Sequence, residues 1–328
     1  MEGPLLRPLP WWRQRSGGLT MDQTFHEPVL LDQVVELFAP VAAGTIVDAT
    51  FGGGGHSMAL LDAYPEVRVV GIDRDPAALG QARADPRLSV VQANFADLAS
   101  VIADEVSGPE RDDPAVDGVL MDLGVSSHQL DVAERGFSYR HGGPIDMRMD
   151  PGADLDASEI VNSWPRHDLV GIFRRYGEER FAGRIADAII VARPIDDTAT
   201  LAEVVAAAVP ARARRPGHPA RRIFQALRIA VNDELGALET ALESAVAALR
   251  PGGRIVVISY HSLEDRIVKQ RFAAGATGCT CPPDLPVCGC GNTSELRLIG
   301  RVLPSAGEIE RNPRSRSAVL RAAERVIA

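Results

Sequence analysis

Lysine is almost missing from this chain: Lys269 is the only one among 35 basic residues. Arginine clusters are therefore partly a matter of composition and count for less as a nucleic-acid signal. Positive charge is not in surplus either. The formal net charge is −9, which excludes a polycation that coats nucleic acid with its whole surface and leaves any such contact to local patches. No apolar run approaches the roughly 18 residues of a membrane helix. The first 20 residues contain Arg, Pro and Trp11-Trp12 but no apolar core of a secretory signal. Residues 1–24 are expected to be a disordered extension, with Met21 a second candidate start, in a cytoplasmic protein that does not engage a membrane.

Cysteine is scarce and concentrated. Cys279, Cys281, Cys288 and Cys290 are the four present. In a cytosolic chain a disulfide is not expected. Paired thiolates can hold zinc, but Cys-x-Cys is tighter than the usual two-residue gap. Zinc at these four positions is thus possible but not predicted, and a loop of free thiols is the alternative.

What the chain does have is a glycine-rich turn behind an acid. Thr45-Ile-Val-Asp48 is a short apolar run; Ala49-Thr50-Phe51 and Gly52 to Gly55 follow, and then a helix-like segment begins at His56-Ser57. The pattern reads as strand, tight loop and helix N-terminus. Glycines there allow positive φ and close approach of a ligand to the main chain, and free amides at a helix start favour a negative group. Two more apolar runs end in acids, at Asp73 and Asp122, and Leu88 to Val91 leads to Asn94-Phe95. Such runs read as parallel strands buried on both faces. Ligands of parallel sheets bind outside the carboxyl ends of the strands, so Asp48, Asp73, Phe95 and Asp122 are expected to rim one crevice.

Two ligands compete for that crevice. A glycine loop with an acid about 20 residues on is also a dinucleotide signature, and Gly52 to Asp73 has that spacing. Three features favour S-adenosylmethionine. An acid precedes the glycines, Ser57 stands where a third glycine belongs, and a sulfonium suits several carboxylates where a pyrophosphate does not.

Along the chain, strands are expected at 45–49, 67–72, 88–92, 116–121 and 252–260, with two closing strands near 296–303 and 317–322. Helices alternate with them up to Asp122, the signature of a doubly wound α/β unit. Residues 108–115 form a surface loop. From 123 to 253 only helical patterns appear, at 157–162, 166–174, 178–193, 199–208 and 219–249. The simplest architecture is a core made of 25–130 and 228–328 with a helical insert at 131–227.

The ordered motifs are specific. Phe25-His-Glu-Pro-Val-Leu, Asp48 to Ser57, Asp122-Leu-Gly-Val-Ser-Ser127, Glu134-Arg-Gly-Phe137 and Pro144-Ile-Asp-Met-Arg-Met-Asp150 are followed by Phe224 to Ile229, Val231 to Leu235, Ser259 to Arg266 and Asn312 to Ser317. Together they resemble the RsmH (MraW) family of bacterial 16S ribosomal RNA cytosine methyltransferases over residues 25 to 325. The resemblance implies a class I (Rossmann-like) methyltransferase sheet with an inserted helical, substrate-recognition domain. It implies transfer of a methyl group from S-adenosylmethionine to the N4 amine of a cytidine in the decoding region of 16S rRNA in the small subunit. Carried over by motif, the cofactor contacts are Gly54, Gly55, His56, Asp73, Phe95, Asp122 and Gln129. Three stretches depart from the family pattern: His128, Gly142-Gly143, and Arg301 to Gly307.

Individual roles follow. The Asp73 carboxylate can accept from both ribose hydroxyls; a solvated strand-end acid is the alternative. Phe95 offers a stacking face for adenine or is a core residue. His56 is read as a backbone donor at the helix start. Methyl transfer to an aromatic amine needs an acceptor for an amine hydrogen, and Asp122 stands at the right strand end, although it can serve the cofactor alone. Tyr260 is the second candidate wall of the substrate pocket, against core packing and capping by Ser262. For RNA, the arginine-rich stretches supply Arg214, Arg215, Arg221, Arg222, Arg314 and Arg316, a residue type suited to phosphate. An NAD-dependent oxidoreductase and a non-catalytic RNA-binding module are the competing readings. Monomer and homodimer are both open.

Overall fold

The computed structural model describes residues 28–106, 115–140, 142–211, 218–278, 281 and 289–326. The extension expected at 1–24 and most of the loop expected at 108–115 lie outside them. In chain order the elements are α1 (Leu31–Phe38), β1 (Thr45–Asp48), α2 (Gly55–Ala63), β2 (Arg68–Asp73), α3 (Pro76–Leu79), β3 (Leu88–Gln92), α4 (Leu98–Val106) and β4 (Val116–Asp122). Six helices follow: α5 (Ser127–Asp131), α6 (Ala157–Ser163), α7 (Arg166–Arg175), α8 (Ala182–Ala192), α9 (Thr198–Ala208) and α10 (Ala220–Asn232). The chain closes with α11 (Glu234–Ala248), β5 (Leu249–Ser259), α12 (Ser262–Ala276), β6 (Leu296–Val302), α13 (Ala306–Arg311) and β7 (Val319–Arg325). No helix among the described residues is long and apolar enough to cross a membrane.

The chain divides into two compact units, one running through Gly124 and resuming at Ala237, the other spanning Val125–Gly236. The helical unit is thus wider at both ends than the 131–227 drawn from sequence.

The first unit is built on a seven-stranded sheet in the order β3-β2-β1-β4-β5-β7-β6. β1 to β5 pair in parallel, and β7 runs antiparallel to both β5 and β6. This is a Rossmann-like α/β sheet. The chain winds outward from β1 through β2 to β3, then restarts on the other side with β4, so the topological switch point lies between β1 and β4. Apolar side chains cover both faces. Val47, Val70, Ile72, Val119 and Met121 pack on one side with Leu238, Leu242 and Val246 of α11. Ile46, Val69 and Leu120 pack on the other with Val34 and Phe38 of α1 and Leu60 and Leu61 of α2. Burial on both faces explains why the parallel strands read as uninterrupted apolar runs.

Some boundaries differ from the sequence expectation. α3 is a single turn that stops at Leu79 with Gly80 as its C-cap. β5 begins at Leu249 and runs through the Pro251-Gly252-Gly253 stretch, with a register shift opposite Val116/Gly118 of β4. Within the helical stretch 219–249, Asp233 takes a left-handed conformation (φ +47°) and separates α10 from α11.

The second unit packs its helices around Ile160, Leu169, Phe173, Ile185, Ile189, Leu201, Val205, Ile223 and Leu227, all fully buried. Two of the family-like motifs work as its internal ties. Asn232 accepts from the Met149 amide at 2.8 Å and donates to the carbonyls of Met147 (2.8 Å) and Arg228 (2.9 Å). The Arg135 guanidinium donates to the carbonyls of Arg148 and Met149, both at 2.9 Å. Gly143 is fixed by crowding, since a Cβ there would lie 2.1 Å from the Ala133 carbonyl oxygen, whereas a Cβ on Gly142 would meet nothing nearer than 3.8 Å.

Candidate functional site

Parallel pairing brings the carboxyl ends of β1, β2, β3, β4 and β5 to one edge of the sheet. Asp48 ends β1, Asp73 ends β2, Asp122 ends β4, and Tyr260 follows β5. Phe95 lies just after β3, next to the Ala93 amide that donates to the Asp73 carbonyl at 3.1 Å. Asp48, Asp73, Phe95 and Asp122, read from sequence as strand-end residues of one edge, stand at the carboxyl ends of these strands.

The glycine loop is held from beneath by Phe51. Its amide donates to the Ile72 carbonyl at 2.8 Å, and its buried ring fills the space under the loop. A Cβ on Gly54 would come within 2.6 Å of that ring, and one on Gly71 of β2 within 2.4 Å. Gly54 also has φ +74° and is the N-cap of α2, with no side chain capping the first turn. The first amides of α2 are accordingly left to meet a ligand. The loop is fastened to Asp73, whose Oδ2 accepts from the Gly52 amide at 2.8 Å and whose Oδ1 accepts from the Asp75 amide at 2.9 Å. Each carboxylate oxygen keeps a second lone pair for a hydroxyl. Burial raises the Asp73 carboxyl above its usual range.

Beside the loop, Asp48 is 1% exposed. Its Oδ2 accepts from the Ser57 hydroxyl at 2.6 Å and its Oδ1 from the Thr50 amide at 3.3 Å. Burial pushes its carboxyl up to about 6, with the Ser57 bond pulling the other way. Thr50 bridges to the next strand, its Oγ1 accepting from the Asp122 amide at 2.5 Å.

Asp122 is the centre of a second polar group. The Tyr260 hydroxyl donates to its Oδ1 at 2.8 Å. The Nδ1 of His56 lies 3.6 Å from its Oδ2. The His56 ring is buried, and its Nε2 lies 2.9 Å from the Val29 carbonyl oxygen, which can only accept. That contact puts a proton on Nε2. Burial raises the Asp122 carboxyl, partly offset by His56 and Tyr260, and burial with the adjacent Asp122 charge lifts the Tyr260 hydroxyl well above its ordinary value. His56 thus uses its side chain as well as its place at the helix start. Tyr260 is set by Glu264, whose Oε2 accepts from its amide at 2.8 Å. The cap of α12 is His261 in a reciprocal box with Glu264, not Ser262.

Thr50, Phe51, Val29 and Glu264 are the residues that sequence reasoning missed. All four sit inside the quoted motifs, but nothing in a single sequence says which side chain fills the space beneath a loop.

Gln129 belongs to the helical unit and is buried. Its Oε1 accepts from the Ser126 amide at 3.0 Å while the Ser126 hydroxyl accepts from its own amide at 3.2 Å, a reciprocal cap on the start of α5. Arg222 is tied into the same unit, donating to the Glu178 carbonyl at 2.9 Å with the Glu179 carboxylate 3.9 Å away. Arg221 is exposed. Arg314 and Arg316 are exposed on the 3-10 turn Pro313–Ser317. Arg214 and Arg215 lie outside the described residues, as do Cys279 and Cys288. The sulfurs of Cys281 and Cys290 accept from the amides of Gly289 (3.3 Å) and Asn292 (3.5 Å). Among the described residues neither belongs to a metal-ligand group.

The profile of the MraW methylase family matches residues 23–326. The chain belongs to that family. It is 51% identical to the ribosomal RNA small subunit methyltransferase H of Heliobacterium modesticaldum, over 92% of this chain and 98% of that one. To the protein of the same name from Symbiobacterium thermophilum it is 53% identical, over 90% and 95%. Among solved structures, a putative rRNA-methylase from Clostridium thermocellum is similar at 12% identity over 92% of this chain and all of that one, with a TM-score of 0.40, which adds nothing to the strand order. MraW family membership accounts for the order of the motifs, from the glycine loop to Asn312-Pro313.

Proposed function

We propose that this chain is a small-subunit rRNA methyltransferase that moves a methyl group from S-adenosylmethionine to the N4 amine of a cytidine in the decoding region of 16S rRNA. The observation that carries the reading is the rim at the switch point, where uncapped α2 amides, the Asp73 carboxylate and the Asp122–Tyr260 pair converge on one strand edge. The donor set fits S-adenosylmethionine. The first-turn amides of α2 would take its carboxylate, Asp73 the ribose hydroxyls, Phe95 the adenine face, and the buried carboxylates of Asp48 and Asp122 favour a nearby cation. When bound, it would supply an electrophilic methyl group, the S–CH3 bond breaking and the neutral thioether leaving as the nitrogen takes the methyl.

The remaining work falls to the chain. The cytosine amine is a poor nucleophile because its lone pair is delocalised into the ring. Asp122 accepts a hydrogen from that amine, so the nitrogen gains electron density as it bonds to carbon and leaves its proton on the carboxylate. A carboxylate raised by burial is a stronger acceptor than one in water. The Tyr260 hydroxyl, bonded to Oδ1, holds Asp122 in one orientation, which supplies positioning. Gln129 retains its cofactor assignment only by motif, since its side-chain oxygen already closes the cap. The rRNA would contact exposed arginines, among them Arg221, Arg314 and Arg316.

Mass mapping of modified nucleosides in small-subunit RNA from cells with and without this gene tests the reading. The expected result is loss of one N4-methylated cytidine in the decoding region; an unchanged map would overturn it.

A further inference from the structure

The helical unit carries an exposed ring that is held in place from two directions. His218 stacks on Tyr139 with ring centroids 5.1 Å apart and planes 16° from parallel. Its Nδ1 accepts from the Ala220 amide at 3.2 Å, at the first residue of α10. Tyr139 is itself seated on Phe224, edge to face at 5.9 Å, and Phe224 is 4% exposed. The stack therefore runs from the core of the unit outward to His218, which is exposed. Cations flank it. The Arg140 guanidinium lies 5.8 Å from the centroid of the Tyr139 ring, and exposed Arg221 is in the first turn of α10, its amide bonded to the His218 carbonyl at 3.1 Å.

We propose that His218, stacked on Tyr139 and flanked by Arg140 and Arg221, is the platform on which this unit takes an unpaired base of single-stranded RNA. A ring with one face on Tyr139 offers the other to a base. Two anchors mean that little side-chain entropy is lost when a base lands on it. Base–aromatic stacking is sequence-tolerant and selects single strands, because the bases of a duplex are already stacked. Guanidinium groups beside the stack suit the flanking phosphates. An acidic peptide would use the arginines but leave the ring without a purpose. The proposal rests on the RNA-methyltransferase reading above and assigns it a substrate contact in the helical unit.

The test uses the full chain and a short fluorescein-labelled single-stranded RNA, with the matching duplex and heparin as comparisons, read by fluorescence anisotropy. His218→Ala should weaken the single strand at least about fivefold, the low end for one base–aromatic stack, and leave the duplex and heparin unchanged. His218→Tyr, which keeps the ring but loses the contact to Ala220, should bind like the parent, separating stacking from helix capping. Arg140→Ala with Arg221→Ala should flatten the salt dependence. Unchanged affinity in His218→Ala, equal losses for single strand and heparin, or no binding of the single strand by the parent would each overturn the platform. Labelled methyl transfer to ribosomal particles, run in parallel, separates the two readings. Methyl transfer with an indifferent His218 sinks the platform alone; a His218-dependent affinity without methyl transfer sinks the enzymatic reading alone.

Discussion

Ser57 donates a 2.6 Å hydrogen bond to Asp48 across the glycine loop, both side chains being buried. This bond explains why the position where a dinucleotide loop would have its third glycine holds a hydroxyl instead. Removing it leaves a buried carboxylate short of a donor, a loss on the order of 1–3 kcal/mol. Ser57→Gly should therefore lower stability by about that amount, with a further penalty from glycine inside α2. Chemical denaturation checks it. A Ser57→Gly protein as stable as the parent would show that the bond is idle.

Asp48 makes stability depend on pH in an unusual direction. Its carboxyl is raised from 3.8 to about 6 in the fold. Between those values the folded chain holds a proton that the unfolded chain has released, so this group's contribution is full below about 4 and falls as pH rises to about 6. Asp48→Asn removes that slope while keeping an acceptor for Ser57. The variant should gain stability on the parent between pH 4 and 6, by an amount on the order of 2–3 kcal/mol, and hold a constant lead above that. Thermal melts across the range decide it; a constant difference at every pH would refute the burial effect.

Which parts of this were readable in the sequence follows from where the information lies. β1, β2 and β4 were legible because burial on both faces leaves apolar runs that end at Asp48, Asp73 and Asp122. The first residues of β5 were not, because Pro251 and Gly252-Gly253 look like a loop, and only pairing with β4 keeps them extended. The rim was legible as strand-end acids, yet its wiring was not. The Thr50 to Asp122 and Tyr260 to Asp122 bonds join residues 72 and 138 apart, and no local pattern records such a pairing. Arg222 shows the same limit: a run of arginines suggests phosphate contact, and nothing local in it records the bond that this one makes to a carbonyl 44 residues away.

Asp73 fastens the glycine loop and, in the proposed cofactor site, would also take the ribose hydroxyls; two substitutions separate these roles. Asp73→Ala removes the acceptors for the Gly52 and Asp75 amides and those available to the ribose, each charge-assisted bond being worth about 1.5–3 kcal/mol. S-adenosylmethionine affinity should fall at least about tenfold. Asp73→Asn keeps one oxygen, so it should retain more of the stability than Asp73→Ala while still binding more weakly than the parent. Calorimetry and melting on the same preparations measure both. Unchanged affinity in Asp73→Ala would remove this residue from the cofactor site.

Tyr260→Phe deletes the donor to Asp122 with little change of shape. That bond favours the ionised carboxylate, so without it the Asp122 carboxyl moves further up. The acidic limb of the methyl-transfer rate should shift to higher pH, while S-adenosylmethionine affinity stays within about twofold. Asp122→Asn should abolish that limb and lower turnover by roughly a hundredfold or more, the scale of a lost proton acceptor. A Tyr260→Phe enzyme with the parent's pH profile would place Tyr260 in packing alone.

Arg221 and Arg222 are neighbours with different work, and the RNA contribution of this stretch should be confined to one of them. Arg222 donates to the Glu178 carbonyl and is about one-third exposed, so Arg222→Ala should cost stability on the order of 1 kcal/mol, discounted for solvent access. Its effect on RNA affinity should be no larger than that loss explains. Arg221 is exposed in the first turn of α10. Arg221→Ala should leave the melting temperature alone, weaken binding to ribosomal particles, and reduce the dependence of log affinity on log salt by about one phosphate contact. S-adenosylmethionine affinity should be unaffected in both. If Arg222→Ala weakened particle binding more than Arg221→Ala at equal stability, the stretch would be gripping phosphate through the residue that the fold has tied down, and the division of labour drawn here would be wrong.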